Sequence, residues 1–170
     1  MEIEEGDLDN LALNREQRAR RIIDHYRASG GAKLDDAHAC NCLAWVYVTA
    51  PEPLRDVNAA VALAENAVKL APRNVMFVNT LGVAYYRAGR YREAAESLHA
   101  NLAKQEDIDL AFDLYFLAMC YHQLGEGARA RDYFDWAVRW RRAQPDLPAI
   151  QKEELAEFEA EAREALGIQE

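Results

Sequence analysis

The residues able to do chemistry are few, and their spacing argues against most of it. His38-x-Cys40-x-Cys42 is the one string that suggests metal ligation. On a helix His38 and Cys42 share a face at i and i+4 while Cys40 points away, so the string offers two convergent ligands where a structural zinc site takes about four. Cys120 reads as a small core residue. Three cysteines in 170 residues make no disulfide framework, so a reducing, cytoplasmic setting is expected. His25, His99 and His122 have no serine, cysteine or carboxylate partner at a recognisable catalytic spacing. The expectation is no catalytic residue, no metal site, no cofactor and no enzyme.

Composition excludes further classes. A net charge of −9 and a pI near 5.0 oppose nucleic-acid binding, because phosphate neutralisation needs a basic surface. The acid gathers in Glu2, Glu4, Glu5, Asp7 and Asp9 and again in Glu153, Glu154, Glu157, Glu159, Glu161 and Glu164. Two basic clusters oppose it, Arg18-Arg20-Arg21 and Arg139-Arg141-Arg142. Both signs read as solubility and helix-end electrostatics. No apolar run is long enough to cross a bilayer, and the acidic N-terminus has the wrong sign for a signal peptide, so no membrane association is expected.

The elements that must position any functional residue repeat their punctuation. Leu43-Ala44-x-x-Tyr47 returns as Leu81-Gly82-x-x-Tyr85 and Leu117-Ala118-x-x-Tyr121. A second segment follows each, with Ala60, Ala64 and Ala67, then Ala94, Leu98 and Asn101, then Ala130, Phe134 and Ala137. Ala94 follows Ala60 by 34 residues and precedes Ala130 by 36. Helical spacing inside such a period is the mark of a helix-turn-helix solenoid. Ala44, Gly82 and Ala118 let a partner helix approach at Ala60, Ala94 and Ala130, and the tyrosines fill the gap beside them.

Local signals bound the helices. Asn14 with Gln17 has capping-box spacing, and Gly30-Gly31 ends the helix carrying Ala19, Ile22, Ile23 and Tyr26. Asp35 and Asp36 cap the next helix, Pro51 and Pro53 break it, and Asp56 starts its partner, which ends near Pro72. Gly89 and Gly125 make the later turns. Past Pro145 and Pro148 a helix from Ile150 to Leu166, amphipathic through Leu155, Phe158 and Ala162, reads as a terminal cap.

With these anchors residues 37–144 resemble the tetratricopeptide repeat (TPR) family, whose pattern is Leu-Gly/Ala-x-x-Tyr, then Ala-x-x-x-Phe/Tyr-x-x-Ala, then Pro. The chain departs from it at Asn101, where alanine is usual, and at Cys40 and Leu114, which replace a large aromatic; Pro72 is the only well-placed closing proline. The strings LAWVYVTAPEPLRDVNAAVALAENAVKLAPRN, NTLGVAYYRAGRYREAAESL and YFLAMCYHQLGEGARARDYFDWAV resemble the TPR region C-terminal to bacterial, planctomycete-like serine/threonine protein kinases and WD-repeat proteins. None of the kinase motifs themselves is present. The fold so implied is all-α: a right-handed α-solenoid of three TPR helix-turn-helix units (about 37–74, 75–108 and 111–144), with an acidic leader and N-terminal helix over 1–36 and a capping helix over 145–170.

Beside the packing stripe each first helix carries another. It reads His38, Asn41, Trp45, Val48; then Met76, Asn79, Val83, Tyr86; then Phe112, Tyr115, Met119, His122, on steps of i, i+3, i+7 and i+10. In TPR proteins this stripe lines the concave groove, and here it is more apolar and aromatic than a solvated face needs to be. Asn41 and Asn79 are placed to bond a peptide backbone, with Trp45, Tyr86 and Tyr115 as anchors. The competing expectation is that the chain covers its own stripe, for instance with the N-terminal helix. One TPR subgroup grips chaperone C-terminal carboxylates with basic groove residues. The matching positions here, Asn41, Trp45, Thr80, Phe112 and Phe116, include none, so that ligand is not expected. The resemblance implies a non-catalytic module that binds a protein or peptide partner in this groove, as the docking or regulatory region of a larger bacterial signalling protein. The alternative is a self-assembling scaffold, a homo-oligomer, to which an exposed Trp136 would contribute.

Overall fold

The computed structural model describes residues 13–31, 33, 35–102 and 110–169, and among these every regular element is a helix. In chain order they are α1 (Arg15–Ala28), α2 (Ala37–Thr49), α3 (Val57–Leu70), α4 (Val75–Arg87), α5 (Tyr91–Leu102), α6 (Leu110–Gln123), α7 (Gly127–Arg142) and α8 (Ala149–Leu166). The acidic run Glu2–Asp9 lies outside the described residues.

The caps form where the local sequence offers them. Asn14 accepts from the Gln17 N–H while the Gln17 side chain returns to the Asn14 N–H, each at 3.0 Å. Asp36 and Asp56 accept from the N–H groups of Ala39 and Ala59, at 2.9 and 3.0 Å. Gly89 and Gly125 take φ of 74° and 79°, a region an L side chain enters only with strain. The residue after each glycine donates back to the repeat tyrosine's own carbonyl, Arg90 to Tyr85 at 2.9 Å and Glu126 to Tyr121 at 2.8 Å. The tyrosine thus ends its helix as well as filling the joint.

From α2 to α8 each helix packs against the next, and α2, α4 and α6 also touch one another in turn. These three first helices form an inner row, and α3, α5 and α7 back it. Ala44, Ala60, Ala64, Ala84, Ala94, Ala118 and Ala137 have no exposed surface within the main core, so the small residues stand at the contacts between helices. At Gly82 an added Cβ would lie 2.6 Å from both Cγ and Cδ2 of Leu98, itself fully buried. Helix α1 sits to one side, with Ala19 and Ile23 against Leu43, Val46 and Ala50.

Helix α6 is the centre of the molecule. Every residue from Ala111 to Tyr121 is buried, because α4, α5, α7 and α8 all pack on it. Its one charge, Asp113, is wholly buried and accepts from Nδ2 of Asn79 on α4 at 2.7 Å and from Nδ2 of Asn101 on α5 at 2.6 Å. Asn101 therefore replaces the usual alanine for a reason: it supplies an amide to a buried carboxylate.

Gly82→Ala is expected to cost about 1–3 kcal/mol by overpacking, measured as a lower denaturant midpoint. Leu98→Ala alone should cost about 2–5 kcal/mol, and the double variant less than the sum, because each change relieves the other. Strict additivity in that cycle would contradict the close α4–α5 contact.

Candidate interaction site

The stripe of the inner row is only partly open. Asn41, Asn79 and Phe112 are buried, and Val83, Tyr115 and Met119 have no exposed surface at all. Trp45 and Tyr86 are half-buried, while His38, Met76 and His122 are exposed. The covering element is α8. The cap suggested by the sequence folds back over α6 and reaches across to α4 and α2.

Phe158 of α8 is the plug. It is 1% exposed and stands edge-on to Phe116 at 5.0 Å, Phe112 at 5.8 Å and Trp45 at 6.1 Å between ring centroids. Ion pairs fix the helix around it. Arg87 of α4 forms a two-pronged pair with Glu161, one prong at 2.7 Å, and donates its Nε–H to the Val48 carbonyl at 3.2 Å. Glu159 receives the Tyr115 hydroxyl at 2.9 Å, Arg163 at 2.9 Å and Arg141 at 2.7 Å. On the far edge Arg15 pairs with Glu157, and Arg18 with Glu153 at 2.9 Å. The C-terminal acid and the arginines Arg18 and Arg141, read from sequence as solvating charge, in fact hold α8 in place.

These contacts shift titrations. Burial works against ionisation of Glu159, yet the bonds from Arg163 and Tyr115 and the charges of Arg141 and Arg163 win and hold its carboxyl below the usual range. Burial, then the nearby Glu161 charge, pushes the Tyr86 phenol up to about 12. Burial likewise raises the Tyr115 phenol, with Glu159 adding to it.

The remaining chemistry-bearing groups have structural surroundings. His38 Nε2 and Cys42 Sγ meet at 3.5 Å, whereas Cys40 is fully buried with its thiol toward the Lys33 carbonyl at 3.4 Å. Among the described residues no three ligating side chains converge. Burial raises the Cys42 thiol, and drives Cys120 up to about 12, so neither is poised as a thiolate. His99, which sequence spacing left without a partner, bonds the Tyr121 hydroxyl at 2.6 Å where α5, α6 and α7 meet. Trp136 is 42% exposed and stacks on Tyr133.

What stays open is a cavity of about 240 Å³ bounded by α2, α4, α6 and the first turns of α8. Trp45, Met76 and Phe112 make its apolar walls, and Asn41, Gln151 and Glu154 its polar ones. Trp45 donates to Glu154, whose carboxyl is raised by burial against the lowering effects of that bond and of Arg15 and Arg18. Sequence reasoning overlooked Gln151 and Glu154. A signal existed, since Gln151, Glu154, Phe158 and Glu161 repeat the i, i+3, i+7, i+10 steps of the stripe they cover.

No family model matches the chain, and no curated protein does. Among solved structures, the crystal structure of MamA aligns with a TM-score of 0.54 at 16% identity, over 97% of this chain and 96% of that one. MamA is a TPR-like protein, and the likeness supports a TPR-type helical-repeat fold for this chain.

Phe158→Ala should destabilise the protein by about 3–5 kcal/mol in denaturant unfolding, the cost of emptying a buried aromatic site. A carboxyl held below its unfolded value stabilises fully above about pH 4.3, and that stability is lost as pH falls through the lower folded value. The thermal midpoint should therefore drop below about pH 4.3, and less steeply in Glu159→Gln. Parallel pH profiles would contradict the Glu159 assignment.

Proposed function

We propose that this chain is a non-catalytic protein-interaction module that binds a polypeptide partner on the face of its inner row. In this reading the hairpins α2–α3, α4–α5 and α6–α7 are the three TPR units of a right-handed solenoid, over about 37–74, 75–108 and 111–144. Residues 1–36 precede them and 145–170 carry the helix that folds back. The seating of α8 carries the proposal: the aromatic stripe already accepts an amphipathic helix of its own chain, with Phe158 as the buried anchor. Its uncovered part is the exposed His38 and Met76 with the half-buried Trp45, above a cavity whose wall includes the buried Asn41 and Phe112, and this is where a second polypeptide fits. A TPR-like fold supports an interaction or scaffold role without naming the ligand. A place beside a bacterial kinase is supported by the sequence resemblance alone.

A self-assembling scaffold is the second reading, favoured by the exposed indole of Trp136. Light scattering across concentration separates the two. The module reading expects a constant monomer mass, whereas association abolished by Trp136→Ala would favour the scaffold. In a pull-down, Trp45→Ala with Met76→Ala should lose the partners that wild type retains. Equal recovery by both proteins would count against the inner-row face.

A further inference from the structure

Resting on that reading of the inner row, we infer that the cavity between α2, α4, α6 and α8 receives a positively charged side chain of the bound polypeptide, a lysine or an arginine. Among the described residues Glu154 is the one charged residue on the cavity wall, and no basic residue joins it there. Two cations act on Glu154 through space without a direct ion pair, Arg15, which pairs with Glu157, and Arg18, which pairs with Glu153. Its own hydrogen bond comes from the neutral indole of Trp45. An ionised carboxylate in this half-buried place gains from a guest cation what it loses by leaving water.

Two further acceptors point the same way. Asn41 is 6% exposed and its Oδ1 is buried without a hydrogen-bond partner among the described residues, and Gln151 Oε1 on the facing helix is likewise buried and unpaired among them. Buried acceptors left unpaired cost free energy that a donor recovers, and an ammonium or guanidinium carries donors only. The lining donors that could have served an anion are used internally. Asn79 gives its amide to Asp113, and Thr80 its hydroxyl to the Met76 carbonyl. For an anionic guest the amide N–H groups of Asn41 and Gln151 would have to outweigh the Glu154 carboxylate beside them.

The walls suit the rest of such a side chain. Trp45 and Phe112 bring aromatic rings to the cavity wall, where a cation can be attracted, and with Met76 they give an apolar lining for its methylene stem. The volume, about 240 Å³, falls below the roughly 300–1,000 Å³ of small-molecule sites and fits one side chain.

The test is an NMR titration of the ¹⁵N-labelled full chain, reading the Trp45 indole N–H signal assigned with Trp45→Phe. The probes are N-acetyl-lysine methylamide and N-acetyl-arginine methylamide, with the norleucine and glutamate analogues as neutral and anionic controls. Lysine and arginine should shift Trp45 with at least about tenfold higher affinity than norleucine, and glutamate should not shift it. Glu154→Gln should weaken the lysine probe about tenfold while the Trp136 and Trp140 signals report an intact fold. Gln151→Leu, at a half-exposed position, gives an independent arm with a smaller loss in the same direction. Equal binding of lysine and norleucine, or full lysine affinity in both variants, overturns the cation pocket and leaves the interaction module standing. Silence of Trp45 toward every probe overturns the pocket and removes support from the inner-row face as well.

Discussion

Everything in this protein depends on the insertion of Phe158 into the face made by Trp45, Phe112 and Phe116. Without it α6 would expose a strip of aromatic surface that the other helices cannot cover, since α5 and α7 already occupy its other sides. Apolar burial is strong but non-directional, so a phenyl ring alone would not fix the rotation or slide of an eighteen-residue helix. The ion pairs provide that. Arg87 does double duty, with its guanidinium 5.4 Å from the Phe116 ring centre while it grips Glu161. Such partly buried pairs give register more than net stability, because desolvation offsets much of their attraction.

The charge distribution acquires its meaning from the same contact. A net charge of −9 suggests an acidic surface, yet Glu153, Glu157, Glu159 and Glu161 face arginines from α1, α4, α7 and α8 itself. Glu154 lies in the middle of this series and, among the described residues, forms no direct ion pair, although the charges of Arg15 and Arg18 reach it. Its place at the cavity wall makes it the point where the chain's internal charge pairing stops and an outside cation can enter.

The parts legible in the sequence were those encoded locally. The Leu-small-x-x-Tyr joints, the caps at Asn14, Asp36 and Asp56, and the turns at Gly89 and Gly125 depend on residues a few positions apart, and the structure places them as read. The stripe on the first helices was also legible. What covers it was not, because that depends on a helix about forty residues later folding back, a long-range event that periodicity does not encode. Asn101 looked like a defect in the pattern for the same reason. Its partner Asp113 lies twelve residues away, on another helix.

That buried carboxylate has a consequence for assembly order. Hairpins that all meet through small-residue joints are nearly interchangeable neighbours, so apolar contacts alone would tolerate a hairpin stacked in the wrong place or borrowed from another molecule. Asp113 removes that tolerance. It finds the amides of Asn79 and Asn101 only when α6 lies against both α4 and α5. A shuffled arrangement would strand that carboxyl in the core without these donors, a cost that apolar contacts common to every arrangement do not recover. One aspartate thereby turns a set of look-alike bricks into a wall with a single permitted sequence of courses.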